Sequence, residues 1–402
     1  VFALAAGAAR HGGQGSPALS DSPRPRSDSS LTIALAGDIM LGRGVKRRID
    51  KQGQGYPFEL IAPLTATPDI AIGNLESPLT SEKYKSASPW KFKGDTLDAA
   101  LELKKAGFDL ITLANNHALD CGRAGLLETA RWLDSAGIAY SGITNCDTIL
   151  FDSLKAADSL KAREYLKSLV CKPAFVKHLG LKIGFLGFCE PYLLAIAKDH
   201  GAELVARADS ATVVNSIVAI RDSCDLIICS FHWGGEYCDC PTKTQKKLGR
   251  IAIDAGARIV HGHHPHVLQG VEFYQEGIIA YSLGNFIFDQ RREKTRQSAL
   301  LTIRLRRSDC SSSTFAEPAL NEVNGLGINH VLSETNVSVE IDSVFVRPLE
   351  IVNNRPQPAG KKGWKAIAAR LKKQCARLNT SVEFRDSLLV LKLMAKEMKK
   401  PR

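Results

Sequence analysis

The chain has 402 residues, 44% hydrophobic and 24% charged, with 17 Pro and 32 Gly, which excludes a collagen-like or wholly disordered polymer and allows two to three domains or one large α/β unit. No run of about 18 uncharged apolar residues occurs, so no transmembrane helix is expected. The net charge of +11 sits at one end: residues 361–402 carry 13 Lys or Arg against 3 acidic side chains, leaving the first 360 residues at +1 and arguing against a basic nucleic-acid-binding fold.

Residues 1–30 read as a flexible N-terminal segment or signal remnant, residues 10–30 mixing Gly, Ser and Pro as a linker does. Their first residues, VFALAAGAA, are either the remnant of a signal segment or a truncated start. A domain is expected over 31–350. Short apolar runs at 31–36, 69–72, 109–113, 182–188, 225–230 and 258–260 read as strands, each followed by polar or glycine-rich residues. Helices are expected at 96–106, 123–136, 211–221 and 242–255, lengths that suit crossovers in a layered α/β protein. An insertion around 151–178 reads as helical. From Gly277 onward closely spaced strands point to antiparallel additions. Residues 351–402 read as a basic helical extension in which Trp364, Ile367, Leu371 and Cys375 share one face. That stripe is expected to pack on the core, the alternative being a helix that lies on a membrane surface or a polyanion.

The chemistry-bearing residues fall just after the strands. Asp38 follows the first, Asn74 and Glu76 the second, and Asn115, Asn116, His117 and Asp120 the third. His232 ends the fifth, with Glu236 nearby, and His261, His263, His264 and His266 crowd after the sixth. Loops at the carboxyl ends of α/β strands line a common crevice, so these groups are expected to converge. Imidazole and carboxylate together suit Zn, Mn or Fe rather than a thiolate zinc site. Cys238 and Cys240 lack the second pair that a structural zinc site needs. The backbone N–H groups of Gly234 and Gly235 either ease a turn or hold a phosphate or carboxylate. The GLG at 325–327 lacks the setting of a dinucleotide fingerprint.

Six ordered motifs then carry a family resemblance: GDIMLGRG (37–44), NLESPLT (74–80), LANNHALDCG (113–122), FHWGGEY (231–237), GHHPHVLQG (262–270) and YSLGNFIFD (281–289). Over about residues 31–305 the chain resembles the CapA family of capsule or poly-γ-glutamate biosynthesis proteins, within the calcineurin-like metallophosphoesterase superfamily. The resemblance implies an α/β fold, the four-layer αββα sandwich of the metallophosphoesterase type. It implies one or two divalent metal ions held by Asp38, Glu76, Asn116, His232, His264 and His266, with Glu76 where the superfamily has its bridging aspartate. His117, Asn116 and Asp120 become the catalytic candidates, and Asn74, Arg43, Gly234, Gly235, His263 and Asn285 the candidates for substrate contact. The first motif departs from the superfamily's Asp-x-His: residue 40 is Met, a soft thioether expected to pack in the core, so that one metal position loses a ligand.

The function expected is therefore that of a CapA-like protein of capsule or poly-γ-glutamate biosynthesis or export, a metal-dependent hydrolase acting on a phosphoester or anionic polymer. The alternative is a non-catalytic polymer-binding or assembly module on a degenerate scaffold. Capsule-synthesis membrane proteins and an anionic membrane surface are the partners implied; no specific nucleic-acid binding is expected. The location implied is the cell envelope or its outer side where a signal or anchor precedes the chain, with the cytoplasm as the alternative.

Overall fold

The computed structural model describes residues 30–86, 90–197, 201–309 and 337–394. The N-terminal segment up to residue 29, the GLG at 325–327 and residues 395–402 of the basic end lie outside these described residues.

The first half alternates β1 (Ser30–Ile39), α1 (Arg43–Gln52), α2 (Ala62–Thr65), β2 (Ile70–Leu75), α3 (Leu97–Lys105), β3 (Phe108–Thr112), α4 (Gly122–Ser135) and β4 (Ala139–Ser141). Strands β1 to β4 lie parallel and in that order. There follow α5 (Thr148–Ala157), α6 (Ser159–Ser168), β5 (Ala174–His178), β6 (Leu181–Cys189), α7 (Pro191–Ala197), α8 (Ser210–Arg221), β7 (Leu226–His232), α9 (Lys243–Asp254), β8 (Ile259–His263), β9 (Val271–Tyr274) and β10 (Gly277–Ala280). These build a second sheet in the order β5-β6-β7-β8-β10-β9, with β6, β7, β8 and β10 parallel. The chain then returns to the first sheet: β11 (Asn285–Ile287) pairs with the end of β1, and β12 (Gln297–Asp309) runs antiparallel beside β1 and pairs with β13 (Val337–Val352). Last come β14 (Arg355–Pro358), α10 (Lys361–Ala376), β15 (Thr380–Arg385) and β16 (Leu388–Leu393).

Strands buried on both faces need apolar residues at nearly every position, which is why runs such as LTIALA and LIIC lack polar alternation. Three apolar layers result. Leu31, Ile33, Leu35 and Leu110 of the first sheet meet Ile183, Phe185, Ile228 and Ile259 of the second. Outside the first sheet, Ala34, Ala71 and Ile111 pack against Ala100, Leu103 and Leu126 of α3 and α4. Outside the second, Phe188, Cys229 and Val260 pack against Ile217, Leu248 and Ala252 of α8 and α9. Helix, sheet, sheet, helix is the four-layer αββα sandwich. Helix α9 begins at a reciprocal cap, Thr242 accepting from Gln245 N–H while the Gln245 side chain accepts from Thr242 N–H.

Short elements such as α2, β4, α7 and β9 are not expected from the sequence, and three longer stretches differ from the sequence-based expectation. Helix α1 has no counterpart there, because Arg43, Lys46, Arg47 and Arg48 surround its buried Val45 and Ile49. The 151–178 stretch is helical only in part: Ala174–His178 is the edge strand β5. The basic end is helix α10 followed by two strands, and β16 pairs antiparallel with β13, Leu391 opposite Val344. Helix α10 itself buries Ile367, Leu371 and Cys375 in the layer between the sheets, as its apolar stripe predicts. Among the described residues no helix is long and apolar enough to cross a membrane.

Candidate metal centre

Where β1, β2, β3, β6, β7 and β8 end, the layer between the sheets changes from apolar to polar. A register shift in β1 between Leu35 and Asp38 aims the Asp38 carboxylate there. A Cβ on the neighbouring Gly37 would overlap the Gly284 carbonyl, so the bulge tolerates no larger residue. Asp38, Glu76 and His232 offer ligand atoms that all lie within 4.8 Å of one another, and all three are buried. Around the Glu76 Oε1 atom stand three imidazole Nε2 atoms: His266 at 3.7 Å, His117 at 4.0 Å and His232 at 4.0 Å. Neither Glu76 carboxylate oxygen has a hydrogen-bond partner.

The remaining groups hold these in place. Asn74 Nδ2 donates to Asp38 Oδ1 (2.9 Å) and toward His232 Nδ1 (3.4 Å), while its Oδ1 accepts from Asn115 Nδ2 (3.1 Å). His232 Nε2 lies 2.7 Å from Asn116 Oδ1 and 3.1 Å from His264 Nδ1. His263 Nδ1 donates to Asp38 Oδ1 (3.0 Å). His266 Nδ1 sits between Asn285 Oδ1 (2.9 Å) and Asp38 Oδ2 (3.2 Å). His117 Nδ1 donates to Asp120 Oδ2 (2.9 Å), which leaves its Nε2 toward Glu76, and the Phe92 ring stacks on its face at 3.8 Å. His264 and His266 both adopt left-handed backbone, φ 92° and 56°, a strain of about 1–3 kcal/mol each that the surrounding contacts must hold. Tyr237 N–H, donating to the Pro265 carbonyl between them at 2.8 Å, is one such contact.

Charge is divided unevenly. Burial alone would raise the Asp38 carboxyl, yet hydrogen bonds from His263 and His266 outweigh it and hold Asp38 well below the usual carboxylate range. Burial, with the Asp38 charge behind it, pushes Glu76 well above that range. Burial and the His266 cation bring His264 down to about 3, and burial lowers His232 as well. His266 is pushed up to about 9: burial opposes its charge, but Glu76 and Asp38 overcome that.

Asp38, Glu76, Asn116, His117, Asp120, His232, His264 and His266 thus come together. Several expected roles change. Asn74, His263 and Asn285 are all but fully buried: both asparagine amides are engaged, Asn285 also donating to Gln290 Oε1 and the Thr295 carbonyl, while His263 donates from Nδ1 and leaves Nε2 without a hydrogen-bond partner. Gly234 N–H donates to Glu190 Oε2 at 2.7 Å and is not open to an anion, whereas Gly235 is half-buried in the same loop. Arg43 is paired with Asp289 and lies over the Phe92 ring at 4.8 Å, at the edge of the site. Asp120 touches His117 and orients it. Met40 is fully buried, its sulfur accepting from Gly42 N–H at 3.1 Å. Sequence reasoning missed Glu190, which stands after β6 as Glu76 stands after β2, and whose carboxyl burial pushes up. It also missed Phe92, an aromatic side chain in a lysine-rich stretch with no pattern to mark it.

The family model for the bacterial capsule synthesis protein PGA_cap matches residues 32–148 and 167–290. The chain belongs to this family. It is 33% identical over 290 residues to the capsule biosynthesis protein CapA of Bacillus anthracis, covering 70% of this chain and 65% of that one. It is likewise 33% identical over 288 residues to the PGA biosynthesis protein CapA of Bacillus subtilis (strain 168), covering 70% of each. This PGA_cap chain therefore spans about two thirds of the length of those relatives. Among solved structures, the calcineurin-like phosphoesterase YfkN of Bacillus subtilis superposes with a TM-score of 0.40 at 12% identity, over 87% of this chain and 99% of that one.

Proposed function

We propose that this PGA_cap protein is a metal-dependent hydrolase of capsule or poly-γ-glutamate biosynthesis or export, acting on a phosphoester or an anionic polymer. One observation carries the reading: the Glu76 carboxylate is buried with both oxygens bare, in a ring of imidazoles and beside Asp38. A carboxylate withdrawn from water with no donor is costly unless a cation meets it. The donor set, carboxylate oxygens and imidazole nitrogens, fits Mn, Zn or Fe. Asp38, Glu76 and His232 would hold one ion, with His264, His266 and Asn116 close enough to complete its shell or hold a second.

A divalent cation there supplies Lewis-acid polarisation of the scissile group and lowers the pKa of a bound water. The chain's own residues do the rest. His117, its tautomer set by Asp120, presents an unprotonated Nε2 to the site, placed to take a proton from the attacking water and then to return it to the leaving oxygen. Asn74 and His263 keep the Asp38 carboxylate in one orientation, and the Phe92 ring keeps water from one face of His117. The proposed location is the cell envelope, with capsule-synthesis membrane proteins as partners. The exposed Lys361, Lys362, Lys365, Lys372 and Lys373 of α10 are placed for an anionic membrane surface.

The test is metal analysis of the purified protein together with turnover of bis-p-nitrophenyl phosphate, phosphomonoesters and poly-γ-glutamate in Mn, Zn and Fe. Metal-dependent turnover that falls about 10²–10⁴-fold in His117→Ala supports the reading. Absence of any bound or activating divalent ion overturns it. A second reading, a non-catalytic polymer-binding or assembly module, draws on Met40, which fills the position of a ligand with a buried thioether; polymer binding with no metal-dependent turnover would favour it.

A further inference from the structure

Beside the site, two arms of the chain, 82–86 and 90–93, approach His117, and both are fastened to Asp120. Lys85 N–H and Ser86 N–H donate to the Asp120 carbonyl at 2.8 and 3.1 Å, and Phe92 N–H donates to its carboxylate at 2.6 Å. The residue that orients His117 thus anchors both arms. The arms carry Lys83, Lys85, Lys91 and Lys93 against one acidic residue, Glu82. Lys91 and Lys93 bring their ammonium groups to 5.7 and 5.9 Å from the same Tyr84 ring. Among the described residues none of these four lysines pairs with a carboxylate, although Lys46, Lys104, Lys105 and Lys294 each do. Tyr84 and Trp90, on opposite arms, are 44% and 68% exposed.

Like charges gathered without counter-ions repel one another and cost stability. Here they stand on a portion of the chain whose first 360 residues total only +1, so the cluster is local. We propose that the two arms form a cationic track that draws an extended polycarboxylate chain to the mouth of the site, past Arg43 and Phe92 to His117. Lysine ammonium groups act as mobile point charges, which suits carboxylates spaced along a flexible chain; a track built for phosphate would favour the arginine fork. The exposed edges of Tyr84 and Trp90 add apolar surface beside the lysines for the methylenes between those carboxylates. The track deepens the hydrolase reading above and rests on it only for cleavage of the polymer after its arrival.

The experiment measures binding of fluorescently labelled poly-γ-glutamate to the full chain from 50 to 300 mM KCl. It compares the native protein, the combined Lys83→Gln, Lys85→Gln, Lys91→Gln, Lys93→Gln variant, and the matching four-arginine variant, which keeps the charge. The glutamine variant is expected to bind at least about tenfold more weakly at 50 mM and to lose much of the salt dependence, while the arginine variant stays within about twofold. A glutamine variant with native affinity and native salt dependence overturns the proposal, as does tighter binding of an oligothymidylate of matched charge to the native protein. Polymer bound through these lysines but never cleaved sinks hydrolysis and leaves the track standing. Polymer cleaved at the native rate by the glutamine variant, with unchanged salt dependence, does the reverse.

Discussion

Replacing Glu76 with glutamine separates a residue kept for a cation from one kept for the fold. Neither carboxylate oxygen accepts a hydrogen bond, so Glu76→Gln removes none. Burial pushes the Glu76 carboxyl well above the usual range, so the metal-free fold either buries the charge or takes up a proton the unfolded chain does not hold, at a cost of several kcal/mol either way, whereas an unpaired amide costs about 1–3 kcal/mol. The variant does lose the attraction between Glu76 and His266 at 3.7 Å, but His266 keeps Asp38 at 3.2 Å. The metal-free variant should therefore be more stable than the metal-free native protein, by about 1–3 kcal/mol. The native protein, in turn, gains about 2.7 kcal/mol from an ion present at a hundredfold its Kd, which for a chain of this size raises Tm by about 4 °C. Differential scanning calorimetry on chelator-stripped and Mn- or Zn-loaded samples reads both effects. The variant should start above the stripped native protein and move by less than about 1 °C on loading. A stripped variant less stable than the stripped native protein, or one with the full native response to metal, would refute the reasoning.

Asp120→Asn should lower turnover of bis-p-nitrophenyl phosphate about 10–100-fold by releasing the His117 tautomer, with metal content by mass spectrometry unchanged, because the Asp120 carboxylate bonds His117 and none of the candidate metal ligands. Gly262→Ala should destabilise by about 3 kcal/mol or more in urea unfolding, since its Cβ would overlap the Tyr281 carbonyl and sit 2.6 Å from Trp233 Nε1. Leu371→Ala should cost about 2–5 kcal/mol in the same assay, because Leu371 is 1% exposed between the sheets; a loss under about 1 kcal/mol would mean that α10 is dispensable to the core.

Much of the fold was legible because strands buried on both faces leave unbroken apolar runs, and the expected strands at 31–36, 109–113, 182–188 and 225–230 fall within or beside β1, β3, β6 and β7. What stayed hidden was apolar pattern diluted by charge. In α1, two buried aliphatic residues stand among five basic ones. In β15, β16 and the turn between them, Glu383, Arg385, Asp386 and Lys392 interrupt a pairing that still buries Val382, Leu389 and Leu391. A periodicity reading weighs each position alone, whereas pairing with β13 supplies burial from a partner some 40 residues away in the chain.

The candidate site was legible for a different reason. Asp38, Glu76, His232 and His266 are residues that the inside of a sheet does not accept without cause, so their position after apolar runs marks them. Distinguishing groups that face the centre from groups that hold them requires the distance between the two sheets, and no single strand carries that. Asn74 illustrates the difference. It lies one residue before the last of β2 and, with both ends of its amide engaged, spans from Asp38 on one sheet to His232 on the other. Its Nδ2 carries two hydrogens, so it can meet a carboxylate and an imidazole at once where a second carboxylate would add charge. Asn285 holds His266 at its Oδ1 while its Nδ2 donates to Gln290 Oε1 and the Thr295 carbonyl, and the Asp120 carboxylate joins His117 to the arms that carry the lysines. The centre is held by side chains that span the gap between the sheets, and the charge and tautomer of each imidazole are set by which of them it meets.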